Sequence, residues 1–308
     1  MNRTVHIYNP LQPPVELDLV ASAPLEPTSP RPTFIFFHGG GLLSGSRRGR
    51  FPPLPVKLLL DRGWAVVVPD YRLLPEACIV DILDDLRQLE AWLVQSAVGV
   101  DMYRVVVGGS SAGSLVSILA LSVWKTVKPR AFLSLWGMAQ TEGEWYRRRR
   151  AESAVLGGIP ASQLHEENVA HYLQPGRPHI SADEADMKDP GSRASLFLWL
   201  LKQGQIGPLI SDSVRAAIGT EAPLDLISSS YPPTVIVHGT ADTVAPVTDS
   251  RALAAALQRV EVRVRLIEVD GADHGLAPQE KYRISFEEAI MAVEEFTGIH
   301  LPHPDRLI

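Results

Sequence analysis

Apolar residues fall into two alternating kinds of pattern along this chain of 308 residues. Short continuous runs recur at TFIFF (33–37), WAVVVPDYR (64–72), RVVVGG (104–109), RAFLSLWG (130–137) and TVIVHG (234–239). Runs this short predict strands buried on both faces. EVRVRLIEV (261–269) predicts a further strand, and TVHIY (4–8) with VELDLV (15–20) predicts an opening pair joined by a proline-containing turn. Between the runs the spacing turns helical, at 54–63, 80–96, 114–123, 250–260 and 285–296. In the second of these, Ile82, Leu86, Leu89 and Leu93 share one face. Strands alternating with helices predict an α/β fold: a mostly parallel central sheet flanked by helices, in one domain spanning 1–308.

One stretch breaks the rhythm. Residues 138–231 hold helical pieces interrupted by Gly and Pro, with no clear buried strand. An insertion of that length predicts a helical lid or cap.

Composition adds mainly exclusions. Net charge is −6, so no basic field for nucleic acid is expected, and the run Arg147 to Arg150 reads as a solvated face or helix edge. No stretch reaches the roughly 18 apolar residues of a membrane span. The N-terminus lacks a basic start followed by an apolar run, which predicts a cytoplasmic protein. The single cysteine, Cys78, excludes an intrachain disulfide and a cysteine-based metal cluster, and reads as a buried structural thiol at the head of a helix.

The chemistry-bearing residues all follow predicted strands. Gly109-Ser110-Ser111-Ala112-Gly113 fits G-x-S-x-G with Ser111 at its centre. That pattern presents a serine hydroxyl on a sharp strand-to-helix turn, and it needs glycine where side chains would collide. A register centred on Ser110 puts Ala112 in the second glycine place, and Ser114 has no such frame. No G-K-[ST] ending or G-x-G-x-x-G spacing supports a phosphate loop. His38-Gly39-Gly40-Gly41 follows another strand; amides of Gly39, Gly40 and Ala112 could bind an oxyanion, with His38 ordering the loop. Asp242 and His274 follow the strands at 234–239 and 261–269, giving the order Ser111, Asp242, His274 expected of a nucleophile–acid–base triad. Asp270, Asp273 and Asp249 are weaker rivals for the acid, Asp249 reading as a helix start or cap.

HGGG at 38–41, DYRLLPE at 70–76, GGSSAG at 108–113, HGTAD at 238–242 and DHG at 273–275 together resemble the hormone-sensitive-lipase-like branch of the α/β-hydrolases. The chain departs from that branch in Ser110, where an acidic residue is common, and in DTVAP, where D-P-L-x-D is common. The resemblance implies a serine esterase acting on a small or medium acyl ester, with no cofactor and no metal. An amidase, a C–C hydrolase, a biosynthetic acyltransferase or cyclase, and a non-catalytic ligand receptor are the alternatives. Trp136, Trp145 and Trp199 are the candidates to line a substrate pocket. The implied partner is a small-molecule ester, and a homodimer is compatible with the sequence.

Overall fold

Among the described residues ten strands form: β1 (Asn2–Asn9), β2 (Val15–Ala21), β3 (Arg31–Phe37), β4 (Ala65–Pro69), β5 (Val100–Ser110), β6 (Ala131–Leu135), β7 (Val155–Leu156), β8 (Ile159–Pro160), β9 (Thr234–Gly239) and β10 (Val264–Val269). The computed structural model describes residues 1–49, 51, 53–95, 99–174, 176, 179–180, 189–220 and 222–300. Eight strands make one sheet in the order β1-β2-β4-β3-β5-β6-β9-β10, and β7 pairs with β8 in a separate ribbon. β2 runs antiparallel to both β1 and β4. From β4 to β10 every neighbouring pair is parallel.

The helices are α1 (Leu54–Asp61), α2 (Ile79–Gln95), α3 (Ala112–Val123), α4 (Glu144–Arg147), α5 (Glu166–Val169), α6 (Arg193–Gln203), α7 (Ile206–Ile218), α8 (Val247–Arg259) and α9 (Arg283–Thr297). The continuous apolar runs explain how they cover the sheet. Successive side chains of a strand point to opposite faces, so each run feeds two cores. Ile35 and Phe37 of β3, Val67 of β4 and Ile236 of β9 join Ile82 and Leu86 of α2, Leu115 and Leu119 of α3, and Leu253 of α8. Phe34, Phe36, Val66, Val235 and Val237 join Leu59 of α1 and Phe286, Ile290 and Val293 of α9. Both faces are covered, as a parallel sheet requires.

Two helices of the insertion belong to the first of these cores. Leu196 and Leu200 of α6 and Ile206, Ile210 and Val214 of α7 are buried in the same cluster as α2 and α3. Ser213 Oγ accepts the Ile79 amide at the start of α2, and the Tyr231 hydroxyl donates to Ile118 O in α3. Glycines in the left-handed conformation end α6 at Gly204 and α7 at Gly219.

Two sequence expectations need correction. Cys78 is exposed. It sits just before α2, where its amide and thiol donate to Asp81 Oδ2, while the helix turns Ile79, Ile82 and Leu83 inward. The basic run is not uniformly solvated either. Arg147 to Arg149 are exposed, but Arg150 is buried with its guanidinium 4.1 Å from the Trp145 ring.

Candidate functional site

Ser111 stands between β5 and α3 with φ 54° and ψ −123°. A non-glycine residue there is strained by about 1–3 kcal/mol, and its neighbours over-determine the turn. Its amide donates to Leu135 O at the end of β6, and its carbonyl accepts from Ser114 N and Met138 N. The flanking glycines are required by close backbone approach. A β-carbon on Gly113 would lie 2.1 Å from Phe37 O, and one on Gly109 would lie 2.5 Å from Gly113 C. The last residue of β3 therefore packs directly against the first turn of α3. Ser110 and Ser114 are placed differently: the Ser114 hydroxyl shares a hydrogen bond with Ser134 in the core.

Strain collects at this edge of the sheet. Among the described residues five non-glycines have positive φ, and four of them (Leu42, Ser111, Trp136 and Leu276) lie in the loops that follow sheet strands here. These are the loops where an open α/β sheet gathers its ligands.

His274 reaches the serine from the loop after β10. Its Nε2 is 3.1 Å from Ser111 Oγ and its Nδ1 is 2.7 Å from Asp242 Oδ2. With Nδ1–H donating to the carboxylate, Nε2 is left to accept the serine proton. Asp242 Oδ1 accepts from the amides of Val244 and Ala245 at 2.8 and 2.9 Å. Burial by itself would push the Asp242 pKa up. The charge His274 takes and the hydrogen bonds from His238 and His274 outweigh it, holding the carboxyl well below the ordinary carboxylate range. The rival acids do other work. Asp273 Oδ1 accepts from Thr243 and from the His274 amide, and Asp270 accepts from Thr240, so both tie the base loop to the acid loop.

Asp249 is not a cap. It lies in the first turn of α8, fully buried, and its Oδ2 accepts from the amides of Ala139 and Gln140 and the hydroxyl of Tyr146. Burial pushes its pKa up to about 6, against those three hydrogen bonds. It therefore anchors the beginning of the insertion to the body.

The glycine loop lies beside the serine. A β-carbon on Gly39 would come within 3.1 Å of Ser111 Cβ, and Gly40 takes φ +111°, a conformation open to glycine. Ala112, next in the chain after Ser111, opens α3. His38 orders the loop: its Nδ1 is 2.8 Å from Gly39 O, and its ring stacks 4.3 Å above Tyr71. The Tyr71 hydroxyl donates to His38 O.

The same YRLLPE segment ends in Glu76, whose carboxylate takes a bidentate pair from Arg193 of α6 at 2.7 and 2.7 Å. Arg193 also donates to Leu43 O and Leu74 O. That buried latch seats α6 on the glycine loop, and Phe197 lies so close that a β-carbon on Gly41 would be 2.0 Å from its ring. Sequence reasoning did not single out Arg193 or His238; Arg193 faces the loop only because α6 crosses it.

The three tryptophans fall in different places. Trp136 packs edge-on against Phe286 at 6.1 Å, in the core shared with α1 and α9. Trp145 is half-buried and its indole N–H donates to Val244 O, beside the acid loop. Trp199 is buried in α6. Among the described residues no group of three or more His, Cys, Asp and Glu side chains is arranged to hold a metal ion.

A serine, histidine and aspartate brought together at a strained elbow invite comparison with known proteins. A family model described as the alpha/beta hydrolase fold matches residues 34–191, about half the chain, from β3 through the elbow into the insertion. The chain is an α/β-hydrolase. With its HGGG and GSSAG segments it falls in the hormone-sensitive-lipase-like branch. A model of the prolyl oligopeptidase family also matches residues 210–292 of this hydrolase, which include Asp242 and His274. A probable carboxylesterase M8 from Phoma sp. is 26% identical over 228 residues, 70% of this chain and 69% of the relative. The non-reducing polyketide synthase atr1 of Stereocaulon alpinum is 28% identical over 276 residues, 79% of this chain; the hydrolase spans only 11% of that synthase. The solved esterase 2 of Thermogutta terrifontis phosphonylated by sarin superposes with a TM-score of 0.63 at 21% identity, covering 98% of this chain and 97% of that one.

Proposed function

We propose that this hydrolase is a serine carboxylesterase that cleaves a small-molecule ester through an acyl-enzyme on Ser111. The observation that carries the reading is the unbroken relay from Asp242 Oδ2 through His274 to Ser111 Oγ at 2.7 and 3.1 Å. His274 takes the Ser111 proton as Oγ attacks the ester carbonyl, and passes it to the leaving alkoxide. The amides of Gly39, Gly40 and Ala112 receive the negative charge of the tetrahedral intermediate; losing one such donor costs about 3 kcal/mol. Water deprotonated by the same imidazole then attacks the acyl-enzyme, releasing the acid and restoring Ser111. Residues 138–231 act as a cap over this chemistry, with Phe197 against Gly41 and Trp145 beside the loop that carries Asp242. The likeness to a carboxylesterase supports the ester as substrate.

A second reading keeps Ser111 but delivers the acyl group to an acceptor other than water. Its support is the match to a segment of polyketide synthases. A receptor reading is disfavoured by the presence of both His274 and Asp242 at the serine. Turnover of a p-nitrophenyl ester series by wild type and by Ser111→Ala tests the first reading. Hydrolysis by wild type, lowered at least about 10⁴-fold in the variant, is expected; equal rates overturn it. Free acid as sole product, whatever alcohol or amine is added, removes the transfer reading.

A further inference from the structure

Asp242 Oδ2 faces two histidines. One is His274; the other is His238 of β9, whose Nε2 is 3.2 Å from that oxygen and 3.0 Å from Ala245 O. Both neighbours of this Nε2 are acceptors, so the nitrogen carries a proton and shares it between them. On the far side of the ring, Nδ1 is 2.6 Å from the Ser250 hydroxyl, which can donate to it and so fixes the Nε2–H form. His238 is completely buried, as is the Asp242 side chain it meets. The acid thus receives four donors, two amides on Oδ1 and two imidazoles on Oδ2. The other charged groups that act on His238 are Asp249 from α8 and Glu268 from β10.

We infer that His238 is a positioning residue of the esterase reaction: it holds Asp242 Oδ2 in line with His274 and draws off part of that oxygen's negative charge. The inference rests on the serine-esterase reading. Its consequence follows from sharing one oxygen. Without the His238 N–H, Oδ2 offers its full charge to the His274 ring, and the protonated, inactive form of the relay is favoured. The acid limb of the kcat profile then moves to higher pH.

Three variants test this in the full chain. His238→Asn keeps a polar group near Ser250 but has no donor at the Nε2 position. His238→Gln returns an N–H close to that position. Ser250→Ala leaves the ring in place and releases its orientation. In His238→Asn we expect kcat to fall about tenfold to a hundredfold with KM within about twofold, and the acid limb to rise by about half a pH unit. His238→Gln restores most of both, and Ser250→Ala shifts the limb in the same direction by less. Ser250→Ala carries the test alone if the His238 variants do not fold. Wild-type limbs in all folded variants, with altered thermal stability alone, overturn the positioning role. Absence of Ser111-dependent turnover in wild type overturns the esterase reading, and the role of His238 with it.

Discussion

The elbow and the insertion solve opposite problems of packing. Around Ser111, backbone meets backbone with no room for one carbon: a methyl on Gly113 would lie 2.1 Å from Phe37 O. In the insertion, side chains span larger gaps, through the Arg193–Glu76 pair and the buried Asp249. Gly219, which ends α7 at φ +81°, has no atom within 4 Å of where a β-carbon would stand. Tight backbone contact fixes Ser111 to the sheet, whereas a few charged side chains fix the insertion to the loops around it. The first arrangement tolerates almost no change of residue, and the second concentrates its sensitivity in a few charged groups.

Gly113→Ala should break this comparison open most visibly. Neither Phe37 O nor the α3 backbone can yield to a contact of 2.1 Å, so a loss above about 4 kcal/mol, or no folded protein, is expected. Urea unfolding reads it; a near-native midpoint would show that the elbow has slack. Arg193→Ala comes next. It leaves Glu76 buried without its ion-pair partner, and breaking such a pair costs about 3–5 kcal/mol. A loss below about 1 kcal/mol would mean that the apolar contacts of α6 hold the insertion alone.

Asp249 gives a pH signature. Its pKa is pushed up to about 6 in the folded chain from an ordinary value of 3.8. The folded state therefore binds this proton more tightly than the unfolded state, and stability falls as pH rises from about 4 to about 6, then levels off. The shift corresponds to on the order of 3 kcal/mol. Asp70, also pushed up to about 6, slopes the same way, so the difference between wild type and Asp249→Asn isolates the residue. That difference should change steadily across the window and be flat above it; a flat difference throughout contradicts the anchor's titration. Smallest is Gly219→Ala, which meets only backbone strain of about 1 kcal/mol. A larger loss there would erase the contrast with Gly113.

The parts of the molecule legible in the sequence are those governed by short-range rules. Continuous apolar runs place β3 to β6 and β9 because a two-faced strand leaves no polar alternation. The two glycines around Ser111 mark a turn that excludes side chains, and chain order names Asp242 and His274. What was not legible depends on distant partners. Arg193 and Glu76 are 117 positions apart, and no periodicity links them. Arg150 is one of four consecutive arginines, and it is distinguished by tertiary contacts: its guanidinium lies 4.1 Å from the Trp145 ring and donates to Trp145 O, and its amide donates to Lys202 O. Cys78 stands one residue before the apolar face of α2, which begins at Ile79, and so lies exposed. Trp136 follows β6 as a pocket residue would, but packs into the core against Phe286.

The central claim, that Ser111 is the activated nucleophile, is met most directly by covalent labelling. A fluorophosphonate probe should phosphonylate wild type on the tryptic peptide that contains Ser111, and peptide mass spectrometry should place the adduct there. Ser111→Ala should remain unlabelled, and His274→Ala should label far more slowly. Equal labelling of wild type and Ser111→Ala, or an adduct on Ser110 or Ser114, would contradict the account.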